Sequence, residues 1–203
     1  MWNIEQDALD RMVASHIIWQ NTGGKSGKRF EIKKDQKIGS CNFIHGNLIE
    51  AKFSGASLII ANLSGVDFSG ADFSGANLYG ANLSGCNLEG VDFSRACLSS
   101  ANLSNANITG SNLTRANLTK AYLYGANLLK ADLSRSDLTQ ATLDNASLRC
   151  VKFVGSDLYR ASLVDSDLFY ADFENANLKE AILLRTNLNG VNLFNALLHK
   201  TKF

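Results

Sequence analysis

Three histidines and four cysteines are the residues of this 203-residue chain best suited to holding a metal or acting as nucleophiles, and their spacing supports neither. His16, His45 and His199 stand far apart, and Cys41, Cys86, Cys97 and Cys150 lack the short Cys-x-x-Cys or His pairing of a zinc site. The stretch TGGKSGKR at 22–29 approaches a phosphate-binding loop at Gly27-Lys28. However, Thr22 stands where the first glycine belongs, Arg29 stands where Ser or Thr is required, and a helix is expected ahead of it instead of a strand. It reads as a flexible turn. Carboxylates such as Asp132, Asp137, Asp157 and Asp167 always occupy the same place in a short repeat, so they single out no acid–base pair. No catalytic residue, cofactor or metal is assigned. The informative residues depart from the repeat on its outside, above all Arg95, Arg115 and Arg135, twenty residues apart, which are the candidate site for an anion or acidic partner.

The element that positions them is a repeat of five. Leu, Phe or Ile stands at every position ending in 3 or 8 from Phe43 to Phe203, a small residue two places earlier, and usually Asn or Asp between them. Alternation along a strand sends the small and the large apolar side chains to one face and the Asn or Asp to the other. The remaining two residues, often Ser-Gly, suit a corner whose second residue takes a positive φ. Each five is therefore a three-residue side and a corner, and the chain closes as a coil whose neighbours are the coils above and below. Phe53, Phe73, Phe93, Phe153 and Phe173 fall at multiples of twenty and favour four sides, although counting leaves a three-sided, fifteen-residue coil open. Complete absence of proline fits a backbone whose N–H groups are nearly all needed by the next coil. Cys86 falls inward, Cys97 and Cys150 outward, in different coils, so free thiols are expected.

This pattern resembles the pentapeptide-repeat family over residues 41–203, and short cyanobacterial members in particular. The resemblance implies an all-β solenoid, a right-handed quadrilateral β-helix, and a non-catalytic protein-interaction or scaffold role with an unknown protein partner. Family members associated with quinolone resistance imitate DNA and bind DNA gyrase, which supplies the alternative function of a DNA mimic. This chain departs from that pattern: its repeats are nearly neutral and uninterrupted, and the arginine ladder puts positive charge on one corner.

Residues 1–40 follow other rules. Leu9, Met12, Val13, His16, Ile17 and Gln20 recur at helical spacing with Trp19 beside them, which predicts an amphipathic helix, capped by Asn3 and ended at Gly23-Gly24. Its role is to cover the first coil, with Phe30-Glu31-Ile32 as a repeat one residue out of phase. Residues 21–40 carry a net charge of plus four through Lys25, Lys28, Arg29, Lys33, Lys34 and Lys37 against Glu31 and Asp35, read as a solvated run rather than a nucleic-acid site. With no apolar signal core and no run approaching the ~18 residues of a membrane span, a cytoplasmic protein without a membrane partner is expected. Outward positions turn apolar late in the chain. Phe169, Tyr170, Ile182 and Leu184, with the inward Phe203, mark a candidate surface for a homodimer through the C-terminal coil.

Overall fold

The computed structural model describes residues 2–32, 36–37, 43 and 46–203. From Asn47 onward every outward strand residue forms a parallel bridge with the residue twenty positions later, ending at Ile182 with Lys202. Four fives therefore make one coil, and the three-sided alternative is excluded. The register does not slip, so the coils stack at about 4.8 Å into a rod roughly 40 Å long. The period also explains the phenylalanine column: Phe53 and Phe73 stack with centroids 4.4 Å apart, and Phe153 and Phe173 at 4.7 Å.

Hydrogen bonding within one five accounts for every backbone donor. In the five beginning at Ala81, the Ala81 N–H closes the preceding corner on Leu78. The Asn82 N–H reaches back to Ala61, whereas those of Leu83 and Gly85 reach forward to Asn102 and Ser104. Only the first corner residue, Ser84, finds no backbone acceptor, and Asn82 Oδ1 takes its N–H at 3.1 Å. The same contact recurs at Ser69 with Asp67, Ser94 with Asp92 and Thr114 with Asn112. Where Asn or Asp stands outward, its side-chain oxygen thus accepts the one N–H that the ladder leaves over, although Cys97, Tyr122, Lys152 and Ile182 hold the same position without doing so. Many of the Asn amides also donate one coil back, as Asn82 does to Asn62 and Asn107 to Asn87.

Every described corner takes a positive φ at its second residue, whether or not that residue is glycine. Gly75 sits at 63°, and Arg95, Arg115 and Arg135 at 59°, 59° and 61°. A side chain there costs about 1 kcal/mol or more, and the flanking ladder bonds hold it in place.

Helix α1 spans Gln6–Asn21 and caps the first coil. Its N-cap is Glu5, with no side-chain cap bond, rather than the expected Asn3, which lies in a two-residue strand, β1 (Trp2–Asn3), paired in parallel with β2 (Gln36–Lys37). The C-terminus ends as expected in a Schellman motif: the Gly23 N–H bonds to Gln20 and the Gly24 N–H to Trp19. Leu9 and His16 are buried and Met12 and Val13 partly so, while Ile17 lies at the edge of the stripe, 38% exposed. Glu31 bridges to Lys52, an offset of twenty-one, so the first coil is out of phase by one residue. The glycine-rich turn is not loose: a Cβ at Gly27 would collide with the Ser15 carbonyl oxygen, and the Lys28 N–H bonds to Ser15 Oγ at 3.0 Å. It folds back along the helix, which is why its glycine is required.

Candidate binding surface

Arg95, Arg115 and Arg135 occupy one corner of three consecutive coils, all exposed, with Gly75 below them and Gly155 above. Their N–H groups are fixed by Thr114, Ser134 and Val154 of the next coil, at 3.0, 3.1 and 2.9 Å. The Arg135 stem leans over Gly155, 3.8 Å from where a Cβ would stand. A shallow groove of about 560 Å³ opens between this corner and the adjoining strands, lined by Ser94, Arg95, Thr114 and Arg115 with Asp92 along one wall.

The carboxylates nearest in sequence do not neutralise the ladder. Asp92 accepts from the Ser94 N–H and the Asn112 amide, Asp132 from the Ser134 N–H and Asp137 from the Thr139 N–H. Among the described residues, no carboxylate oxygen lies within 4.0 Å of these three guanidinium groups. Other corners behave differently. Arg149 bonds to Asp167 at 2.8 Å and lies over the Phe169 ring. Arg160 bonds to Glu180 at 2.7 Å, and Arg185 grips both oxygens of Asp165 at 2.6 Å. Hydrogen bonds from these arginines hold Asp165 and Glu180 below the usual carboxylate range. Sequence reading missed these three pairs; partners twenty residues apart, such as Arg160 and Glu180, were the available signal.

The residues proposed for self-association do not form one patch. Phe169 and Tyr170 pack edge to face on one corner, centroids 4.5 Å apart. Ile182 and Leu184 belong to another side and its corner, and Phe203 closes the last coil, 53% exposed. A further apolar corner lies near the cap, where Ile60 is 68% and Tyr79 49% exposed.

The remaining chemistry-bearing groups have structural partners. His16 is buried; its Nδ1 accepts from the Phe30 N–H at 3.0 Å, which leaves Nε2 to donate to the Ile49 carbonyl at 3.0 Å. The ring is therefore neutral, and burial depresses its pKa, opposed by the Ile49 bond. Cys86 is buried and pushed up to about 11, and its Sγ donates to the Leu63 carbonyl; Cys97 and Cys150 are free as well. Cys41, His45 and Lys33, Lys34 and Asp35 of the basic segment lie outside the described residues. Among the described residues no three His, Cys, Asp or Glu side chains converge on a metal position, and no helix is long and apolar enough to cross a membrane.

A capped four-sided β-helix with an uncompensated arginine corner defines a solenoid of five-residue repeats. Eight copies of the pentapeptide-repeat model match the chain, in segments spanning 39–75, 56–95, 71–110, 101–140, 126–165 and 171–203. The chain belongs to the pentapeptide-repeat family, whose coil is the right-handed quadrilateral β-helix. No curated protein sequence matches it. Among solved structures it is similar to HetL of Nostoc sp. strain PCC 7120, a pentapeptide repeat protein involved in heterocyst differentiation regulation, with 28% identity over 92% of each chain and a TM-score of 0.51. It is also similar to alr5209 of the same organism, with 39% identity over 50% of this chain and 83% of that one (TM-score 0.43). QnrB1, a plasmid-mediated fluoroquinolone resistance protein, is 23% identical over 82% of this chain and 88% of that one (TM-score 0.39).

Proposed function

We propose that the chain is a non-catalytic, cytoplasmic interaction rod that presents Arg95, Arg115 and Arg135 to an acidic protein partner. The contrast among corner arginines carries this reading. Arg149, Arg160 and Arg185 each hold a carboxylate of their own chain, whereas the three stacked on one corner hold none among the described residues. Like charges stacked one coil apart repel, so an external anion is the natural counterpart. Similarity to HetL, a protein involved in heterocyst differentiation regulation, supports a regulatory role for this chain. The test is capture from a lysate of the source organism by the intact chain and by an R95E/R115E/R135E variant. Loss of the specific partner in the variant supports the reading, and retention of every partner overturns it. Strong inhibition of gyrase supercoiling at stoichiometric protein would instead favour the DNA-mimic alternative.

A second contact is proposed at the last coil, where two copies meet tail to tail. Exposed apolar side chains carry it: Phe203 is 53% exposed, Phe194 64% and Leu197 49%. Phe169, Tyr170, Ile182 and Leu184 would flank that contact. Sedimentation at micromolar concentration should give a dimer that Phe203→Asp converts to monomer; a monomer unaffected by that change contradicts it.

A further inference from the structure

The geometry points to a partner that is an acidic α-helix laid along the rod axis, its carboxylates at i, i+4 and i+7 meeting Arg95, Arg115 and Arg135. This rests on the binding role proposed above and specifies what fills it. Three consecutive coils place the arginine backbones on a line with about 4.8 Å between steps and about 10 Å end to end. Side chains at i, i+4 and i+7 of a helix lie along one face, rising about 6 Å and then about 4.5 Å and spanning about 10.5 Å. An extended strand repeats a face every ~6.7 Å, so three of its carboxylates span about 13 Å and, centred on the ladder, overshoot it by about 2 Å at each end, where the helix fits within about 1 Å.

Width makes the second distinction. The ladder is one corner wide; beside the three arginines one flanking face carries Asp92, Asn112 and Asp132, with Lys152 one coil on, and the other carries Cys97, Asn117 and Asp137. A single helix about 10 Å across touches the corner alone, whereas a wider polyanionic duplex would bring phosphates against Asp92, Asp132 and Asp137. The corner also supplies short-range donors. The N–H groups of Ser94, Thr114 and Ser134 are taken by their own strands, and their hydroxyls make no hydrogen bond among the described residues, so each stands beside an arginine as an available donor. Carboxylates bonded by guanidinium and hydroxyl together are the charge-assisted, directional kind of contact.

The experiment uses the full chain and three probes measured by fluorescence anisotropy at low salt. The probes are an Ala-rich helical peptide with Glu at i, i+4 and i+7, a peptide of identical composition with the Glu residues at i, i+1 and i+2, and a short DNA duplex. The first should bind at least about tenfold more tightly than the other two, and R95E/R115E/R135E, verified as folded by circular dichroism, should lose at least that factor. Equal binding of the two peptides overturns the helix assignment, and tighter binding of the duplex replaces it with a nucleic-acid site. If the peptides bind alike while the triple variant still loses its captured partner, the helix inference fails and the binding role stands. If the captured partner is retained, the binding role itself fails.

Discussion

The coils between residues 46 and 90 and those beyond residue 130 share one interior and differ in what they place outside. In the first group the corners are mostly bare: Gly55, Gly65, Gly70, Gly75, Gly80, Gly85 and Gly90. In the second the same position carries Lys130, Arg135, Arg160, Tyr170, Glu180 and Arg185, with ion pairs at Arg149, Arg160 and Arg185. Backbone conformation is indifferent to the change, with φ of 63° at both Gly75 and Gly80, 61° at Arg135 and 59° at Glu180. Leu63 and Leu163 are equally inaccessible. The interior thus sets the shape, and a side chain at a corner is retained against a local conformational cost, which makes the later corners the informative ones.

The sharpest way to break this comparison is from inside. Leu103→Ala, in the middle of the rod and fully buried, should cost about 2–5 kcal/mol as a core truncation. Leu193→Ala, only partly buried in the last coil, should cost less, under about 2 kcal/mol. Urea denaturation of both variants checks this; equal losses would mean that the last coil is covered in solution.

The capped end can be tested by pH. The His16 ring is held neutral by a backbone donor on Nδ1 and a carbonyl on Nε2. Burial depresses its folded pKa, the Ile49 bond opposes that, and the charge of Arg29 lowers it further while that of Glu50 raises it. Since the unfolded value is about 6.5, its contribution is complete above that pH and is lost as pH falls through the lower folded value. Fluorescence of Trp19, whose ring stacks on His16 with centroids 5.6 Å apart, should report cap release on acidification while the rod keeps its circular dichroism. An identical acid transition in His16→Gln would exclude the imidazole as the trigger.

Smaller effects separate the outward strand position from the corner. Asn82→Ala removes the acceptor of the Ser84 N–H and two links of an amide ladder, and should cost about 1 kcal/mol. Ser104→Ala, whose hydroxyl makes no bond among the described residues, should stay within about 0.5 kcal/mol of wild type. Thermal midpoints that shift alike would contradict the distinction.

The sequence made the interior legible because alternation along a strand is a local rule: Ala61 and Leu63 declare their side without reference to any other coil. The number of sides depends on which coil pairs with which, and only the phenylalanine column and the twenty-residue spacing of Arg95, Arg115 and Arg135 reported it. Asn82 was legible as outward, but its task was not, because the need for it arises from the one corner N–H that the ladder leaves over. His16 read as part of an apolar stripe; its acceptor, Ile49, lies 33 residues away. The arginine ladder was legible from its period. Its isolation from Asp92, Asp132 and Asp137 was not, since those carboxylates are proximate in sequence and are turned by backbone donors onto their own strands.

The central claim is that the arginine corner is held for contact with something outside the chain and not for the rod's own stability. It is tested most directly by comparing the urea midpoints of two triple variants at low salt. Replacing Arg95, Arg115 and Arg135 with Gln removes like charges stacked on one edge and should leave the midpoint unchanged or raise it. Replacing Arg149, Arg160 and Arg185 with Gln removes three ion pairs and should lower it. A midpoint that falls in the first variant as far as in the second would show that the ladder is bonded within its own chain, and the account would be wrong.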